Sequence, residues 1–176
     1  MTLNAAFSLL RALYEQPAFL EQLVLGLLRR RGVFTFRCQA STRTARPRFK
    51  LCLQEDAALI QEIRSRFGFG SAPGEFTPGA LRNGMAYAPR SEWDVNSASD
   101  CIKLVEFFSA HPLRSHKRAD FAIWSELVAE AASPTPSCHQ LNSIALRLSA
   151  TRGSGHSRTA QATLRQWLGL SLITTS

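Results

Sequence analysis

Three consecutive arginines, Arg29, Arg30 and Arg31, close the most apolar helical run of the chain, FLEQLVLGLLRRRG, residues 19–32. A guanidinium does not ligate cations and stays protonated at any useful pH. It presents a planar fork of donors that fits phosphate or carboxylate. The chemistry open to this cluster is anion binding. Arg37, Arg43, Arg46, Arg48 and Lys50 follow, and no Asp or Glu occurs between Gln22 and Gln54. The eight positive charges of that segment equal the whole formal net charge of +8. A general solvated basic surface is the plainer alternative. The clustering and the preponderance of arginine point instead to nucleic acid.

No Ser/His/Asp set has a spacing that suggests nucleophilic catalysis, and the adjacent Cys138 and His139 are read as a chance pair. Cysteines 38, 52, 101 and 138 form no CxxC motif. Reduced structural thiols are the simpler reading, with a zinc site including His139 or His156 as the alternative. No cofactor or bound metal is expected.

Elements must position these charges. A length of 176 residues with 45% apolar content suits one globular domain with terminal extensions. No stretch approaches the ~18 consecutive apolar residues of a membrane span, so no membrane partner is expected. Residues 1–14, MTLNAAFSLLRALY, carry an apolar face, one Arg and no acid. That is the pattern of a mitochondrial transit peptide or of an ordinary first helix.

Pro17 starts a helix through about residue 30, in which Phe19, Leu20, Leu23, Val24, Leu25, Leu27 and Leu28 cover more than one face. Such a helix is expected to pack on several sides. Gly26 in its middle costs roughly 1 kcal/mol relative to alanine, so another backbone is expected to pass close by. After Gly32 the period becomes two. Phe34, Phe36 and Cys38 share one face of VFTFRCQAS, and Phe49, Leu51 and Leu53 share one face of RPRFKLCLQ, which leaves Arg37, Arg48 and Lys50 outward.

An amphipathic helix over 55–67 is ended by Gly68 and Gly70, and the Gly/Pro-rich 70–84 reads as a long loop. Strands are expected at about 84–90 and 92–97. A helix capped by Ser99 and Asp100 then ends before Pro112, and another starts near Ser115. After the SPTPS breaker, Leu141, Ile144, Ala145 and Leu148 line one helical face, and a last helix covers about 159–168.

This order of elements, with a glycine-bearing helix running straight into a strand, resembles the LAGLIDADG homing endonucleases and the related intron maturases. VLGLLRRRG, 24–32, is similar to the family signature, with Gly26 and Gly32 on its two glycines. RPRFKLCLQEDAALIQEIRSRFG resembles the second strand and the helix after it. Residues 93–128 resemble the fourth strand, the third helix and the pattern that follows, here Pro112, Leu113, Ser115, Lys117, Asp120 and Trp124. The resemblance covers about 19–150 once.

It implies an α+β fold of order αββαββα, a four-stranded antiparallel saddle sheet with helices on one face, plus N- and C-terminal helices. The domains would be an extension at 1–17, the LAGLIDADG-like unit at 18–150 and a basic linker and helix at 151–176. The outward sheet face, with Arg37, Arg43, Arg46, Arg48 and Lys50, would lie over nucleic acid.

In the family the last acid of the signature, just before its second glycine, binds the divalent metal that drives phosphodiester hydrolysis. Arg31 holds that position here, and Arg29 holds the earlier acidic one. The expectation is a pseudo-endonuclease, with no catalytic residue and no metal, that binds without cutting. Lys117, with His116 and Arg118, falls where the family places a basic residue near the reacting phosphate and is expected to be a phosphate contact, and Arg114, His116 and Arg118 are also expected to bind nucleic acid; Asp94 and Asp120 are expected to be structural. A symmetric homodimer would bring two arginine clusters together and is disfavoured. The expected function is binding of structured RNA, ribosomal RNA above all, beside neighbouring proteins of an organellar ribonucleoprotein such as the mitochondrial ribosome. An intron RNA maturase and an active homing DNA endonuclease are the alternatives.

Overall fold

The computed structural model describes residues 17–54, 56–71, 74–76, 90–113, 117–151 and 158–170. The segment read as a transit peptide, and Arg114, Ser115, His116 and His156, lie outside the described residues. Helix α1 (Pro17–Arg31) passes without a break into β1 (Gly32–Gln39), which turns into β2 (Thr44–Gln54). Helix α2 (Ala57–Phe67), β3 (Gly74–Phe76) and β4 (Arg90–Val95) follow, then α3 (Ala98–Ala110), α4 (Lys117–Ala131), α5 (Cys138–Thr151) and α6 (Arg158–Trp167). Among the described residues, no helix is long and apolar enough to cross a membrane.

The strands form one antiparallel sheet in the order β1-β2-β4-β3. The period of two places the side chains as expected: Phe34 and Phe36 of β1, Phe49 and Leu51 of β2, and Trp93 and Val95 of β4 are buried under the helices. Phe34 is the hub of this layer, its ring 5.2–5.4 Å from those of Phe49, Phe108, Phe121 and Trp124. Burying aromatic area of this kind is the main favourable term in the fold. Helix α6 continues the same layer, packing on α5 and β1 with Leu164 fully buried.

Local chemistry sets the ends of the helices. Asp56 caps α2 by accepting from the Leu59 amide, and Gly68 closes it in the left-handed conformation (φ 70°). The cap of α3 is Ser97, which accepts from the Asp100 amide, and not the expected Ser99 and Asp100. Those two residues lie inside the helix, and Ser97 is the last residue with extended backbone (φ −81°, ψ 144°), which is where a side-chain oxygen meets a free amide of the first turn.

Three other expectations change. The third strand is the short edge piece at 74–76, inside the stretch read as a loop; glycine and proline also punctuate short edge strands. Strand β4 begins at Arg90, and residues 84–89 lie outside the described residues. The packing of α1 is described only in part, since the side chains of Phe19, Leu20 and Leu23 lie outside the described residues. Val24, Leu25 and Leu28 are buried, Val24 and Leu25 beside Phe67 and Phe107, while Gln22 and Arg30 are exposed and a Cβ on Gly26 would meet nothing within 4 Å. Within the described chain no backbone approaches Gly26.

Candidate nucleic-acid interface

The end of α1 is built by close packing at Gly32. A Cβ there would stand 2.5 Å from the Leu28 carbonyl oxygen and 2.6 Å from the Phe49 ring, so glycine lets the helix turn directly into β1. The three arginines before it diverge. Arg29 is half-buried and donates from Nη2 to the Pro112 carbonyl at 3.3 Å, while its Nε is buried without a hydrogen-bond partner among the described residues. It ties α1 to the loop after α3. Arg30 and Arg31 are exposed, and Arg31 lines a cleft of about 540 Å³ with Leu27, Cys52, Asp56 and Arg90.

Lys117, at the start of α4, donates from Nζ to the Gly32 carbonyl at 2.6 Å. A charged donor on a helix-end carbonyl is a strong hydrogen bond, favoured further by the helix dipole. Arg118 is exposed. Asp120 is buried and accepts from Thr151 Oγ1, and the Trp124 indole donates to the carbonyls of Thr35 and Arg48. Asp120 thus serves structure, as expected, and the pattern from Pro112 to Trp124 binds back onto α1, β1 and β2.

The outward face of the sheet divides in two. Arg48 grips Asp94 with both arms of its fork, Nε to Oδ1 at 2.7 Å and Nη2 to Oδ2, and lies 3.6 Å from Glu92. Lys50 pairs with Glu92, whose other oxygen accepts from the Cys52 thiol at 3.2 Å. The Asp94 hydrogen bond, opposed by partial burial, raises the Arg48 pKa. Burial pushes Glu92 up, but bonds from Lys50 and Cys52 and the nearby cations outweigh it and hold Glu92 below its usual 4.5. Burial, then the bond and charge of Glu92, push the Cys52 thiol up to about 11. Two cations and two carboxylates therefore close a neutral network over β2 and β4. Asp94 is structural, as expected. The alternation in EWDV had already put Glu92 and Asp94 on one face, which was the available signal for this network.

At the other end of the hairpin Arg37 and Arg46 stand directly opposite each other. The four-residue turn leading there is fixed by Asn142 of α5. Its Nδ2 donates to the Arg43 carbonyl at 2.9 Å and its Oδ1 accepts from the Ala45 amide at 2.8 Å. Arg43 has φ 49°, a left-handed conformation uncommon outside glycine, and the Asn142 clamp holds it. Asn142 was missed in the sequence; its only sign was a polar side chain within the apolar stripe of α5.

Divalent metals of the magnesium class need oxygen ligands, chiefly carboxylates. The end of α1 offers guanidinium groups, and among the described residues the carboxylate lining the neighbouring cleft, Asp56, caps α2. These residues do not fit a divalent cation. Among the described residues no cluster of three or more His, Cys, Asp or Glu has metal-binding geometry.

No protein-family model matches the chain, and no curated protein matches it in sequence. Solved structures do. The homing endonuclease I-TnaI superposes with a TM-score of 0.65 at 19% identity, over 83% of this chain and 96% of that one. The chain has the LAGLIDADG homing-endonuclease fold. The archaeal intron-encoded homing endonuclease I-Vdi141I, complexed with DNA, gives 0.63 at 16% identity over 86% and 98% of the two chains. The LAGLIDADG meganuclease I-CpaMI, bound to uncleaved DNA, gives 0.61 at 17% identity, over 87% of this chain and 50% of that one.

Proposed function

We propose that this chain is a nuclease-inactive LAGLIDADG-type protein that binds structured RNA through its basic face, as a structural component of an organellar ribonucleoprotein, the mitochondrial ribosome being the preferred setting. One observation carries the reading. The helix end that in the resemblance holds the metal-binding acid holds Arg31, exposed, with Lys117 hydrogen-bonded to the next residue. Arginine there supplies positive charge and a phosphate fork without a metal. A net charge of +8 supports an anionic partner, and arginine-rich surfaces suit A-form RNA, which is recognised largely through phosphates and shape. The open side of α1 at Gly26 is offered to a neighbouring protein of the particle, since a symmetric copy would place two arginine clusters face to face.

Binding of duplex DNA is the second reading, favoured by relatives of this fold solved on DNA. Competition between a structured RNA and a DNA duplex of equal length distinguishes them, and tighter binding of the duplex would overturn the RNA assignment. Exchanging Arg31→Asp is expected to weaken RNA binding and make the salt dependence shallower by about one unit in slope per lost phosphate contact. Unchanged binding would remove Arg31 from the interface. Sedimentation of the native protein with ribosomes supports the preferred setting; sedimentation with an intron complex supports the maturase alternative.

A further inference from the structure

The outward face of the sheet carries two kinds of cation. Arg48 and Lys50 are held by Asp94 and Glu92, with side chains only 26% exposed, so a phosphate reaching them must first displace a carboxylate. Their charges cancel within the sheet, and an approaching backbone would also meet the carboxylates.

Arg37 and Arg46 are different. They face each other across the β1–β2 ladder, where opposed side chains have Cβ atoms about 4.5–5.5 Å apart and like charges destabilise the pair. No acid of the described residues pairs with either, because the Glu92–Asp94 row lies against the other end of β2, across from Cys52 and Lys50. An anion seated between the two guanidinium groups turns that repulsion into attraction. The turn beside them is already rigid, clamped through Asn142, so little ordering is needed on binding. From Gly32, next to Arg30 and Arg31, to Arg37 is five residues of strand, or about 16 Å at roughly 3.3 Å each.

We infer that Arg37 and Arg46 form a phosphate-binding pair at the turn end of the hairpin. The nucleic-acid backbone rests on this pair and on the α1 end about 16 Å away, and passes over the neutral Arg48–Asp94–Glu92–Lys50 network without binding it. The inference rests on the nucleic-acid reading above, but not on the choice between RNA and DNA.

The test is the salt dependence of affinity for a labelled RNA hairpin and for a DNA duplex of equal length. The R37Q/R46Q variant is expected to reduce the slope of log affinity against log salt by between about one and two units on whichever probe binds. R48Q/D94N removes the central pair without changing net charge and is expected to leave the slope unchanged. Without nucleic acid, R37Q/R46Q is also expected to raise the urea midpoint, since it relieves a repulsion, and that readout doubles as the folding control. A slope that falls in R48Q/D94N and holds in R37Q/R46Q overturns the inference, as does a lower urea midpoint in R37Q/R46Q. If the duplex binds and the RNA does not, with the slopes as expected, the phosphate pair stands and the RNA assignment falls. Absence of salt-dependent binding to either probe overturns both.

Discussion

Gly32 lies so close beneath Phe49 that a single added carbon would stand 2.6 Å from the ring. The same carbon would be 2.5 Å from the Leu28 carbonyl oxygen, and a backbone atom at a helix end cannot move aside as a side chain can. Gly26, two turns earlier, has nothing within 4 Å. Gly26 and Gly32 should therefore respond in opposite directions. Gly32→Ala is expected to destabilise by about 1–3 kcal/mol through overpacking, and Gly26→Ala to stabilise by about 1 kcal/mol through helix propensity. Urea unfolding of the two variants checks both signs.

Asn142 satisfies one donor and one acceptor of the hairpin turn from a buried position. Asn142→Ala leaves both backbone groups without their partner and is expected to cost about 1–3 kcal/mol. Asn142→Asp keeps the acceptor for the Ala45 amide but turns an oxygen toward the Arg43 carbonyl, so it should not rescue the loss. Hydrogen exchange at the Ala45 amide should quicken in the alanine variant and not at sites remote from the turn.

The carboxylate network gives the fold an acid-sensitive component. The folded-state pKa of Glu92 lies below its usual 4.5, so its contribution is fully present above about pH 4.5 and is lost as pH falls through the lower folded value. Glu92→Gln should be less stable than the parent at neutral pH. The gap in urea midpoint should narrow steadily below about pH 4.5.

Thiol chemistry reads the same layers. Burial, aided by the charges of Asp100 and Asp94, pushes Cys101 up to about 12, and Cys52 stands at about 11. Cys138 is exposed. An alkylating reagent at mildly alkaline pH should modify Cys138 first and reach Cys101 only on unfolding, because the thiolate is the reactive form. Mass mapping of a time course checks the order.

Much of this fold was legible in local pattern. The change from helical period to period two at Gly32 located β1 and β2, and Leu141, Ile144, Ala145 and Leu148 announced the buried face of α5. Strand β3 was not legible, since three residues between glycines and prolines carry no period. The basic face was legible as a list of charges but not as an arrangement. No acid occurs between Gln22 and Gln54, yet strand pairing brings Glu92 and Asp94 to Lys50 and Arg48 from forty residues away. Arg29 was read only as one of the arginine cluster, and its bond to the Pro112 carbonyl, eighty-three residues away, had no local sign. Long-range pairing decides which charges remain for a ligand, and local spacing does not encode it.

The central claim is binding without cutting, and the most direct measurement follows the integrity and the bound fraction of a labelled structured RNA and a labelled DNA duplex incubated with purified protein in magnesium. The expected result is RNA bound and intact, DNA intact, and no change in either when the magnesium is chelated. Discrete cleavage products that appear with magnesium and vanish on chelation would contradict the account.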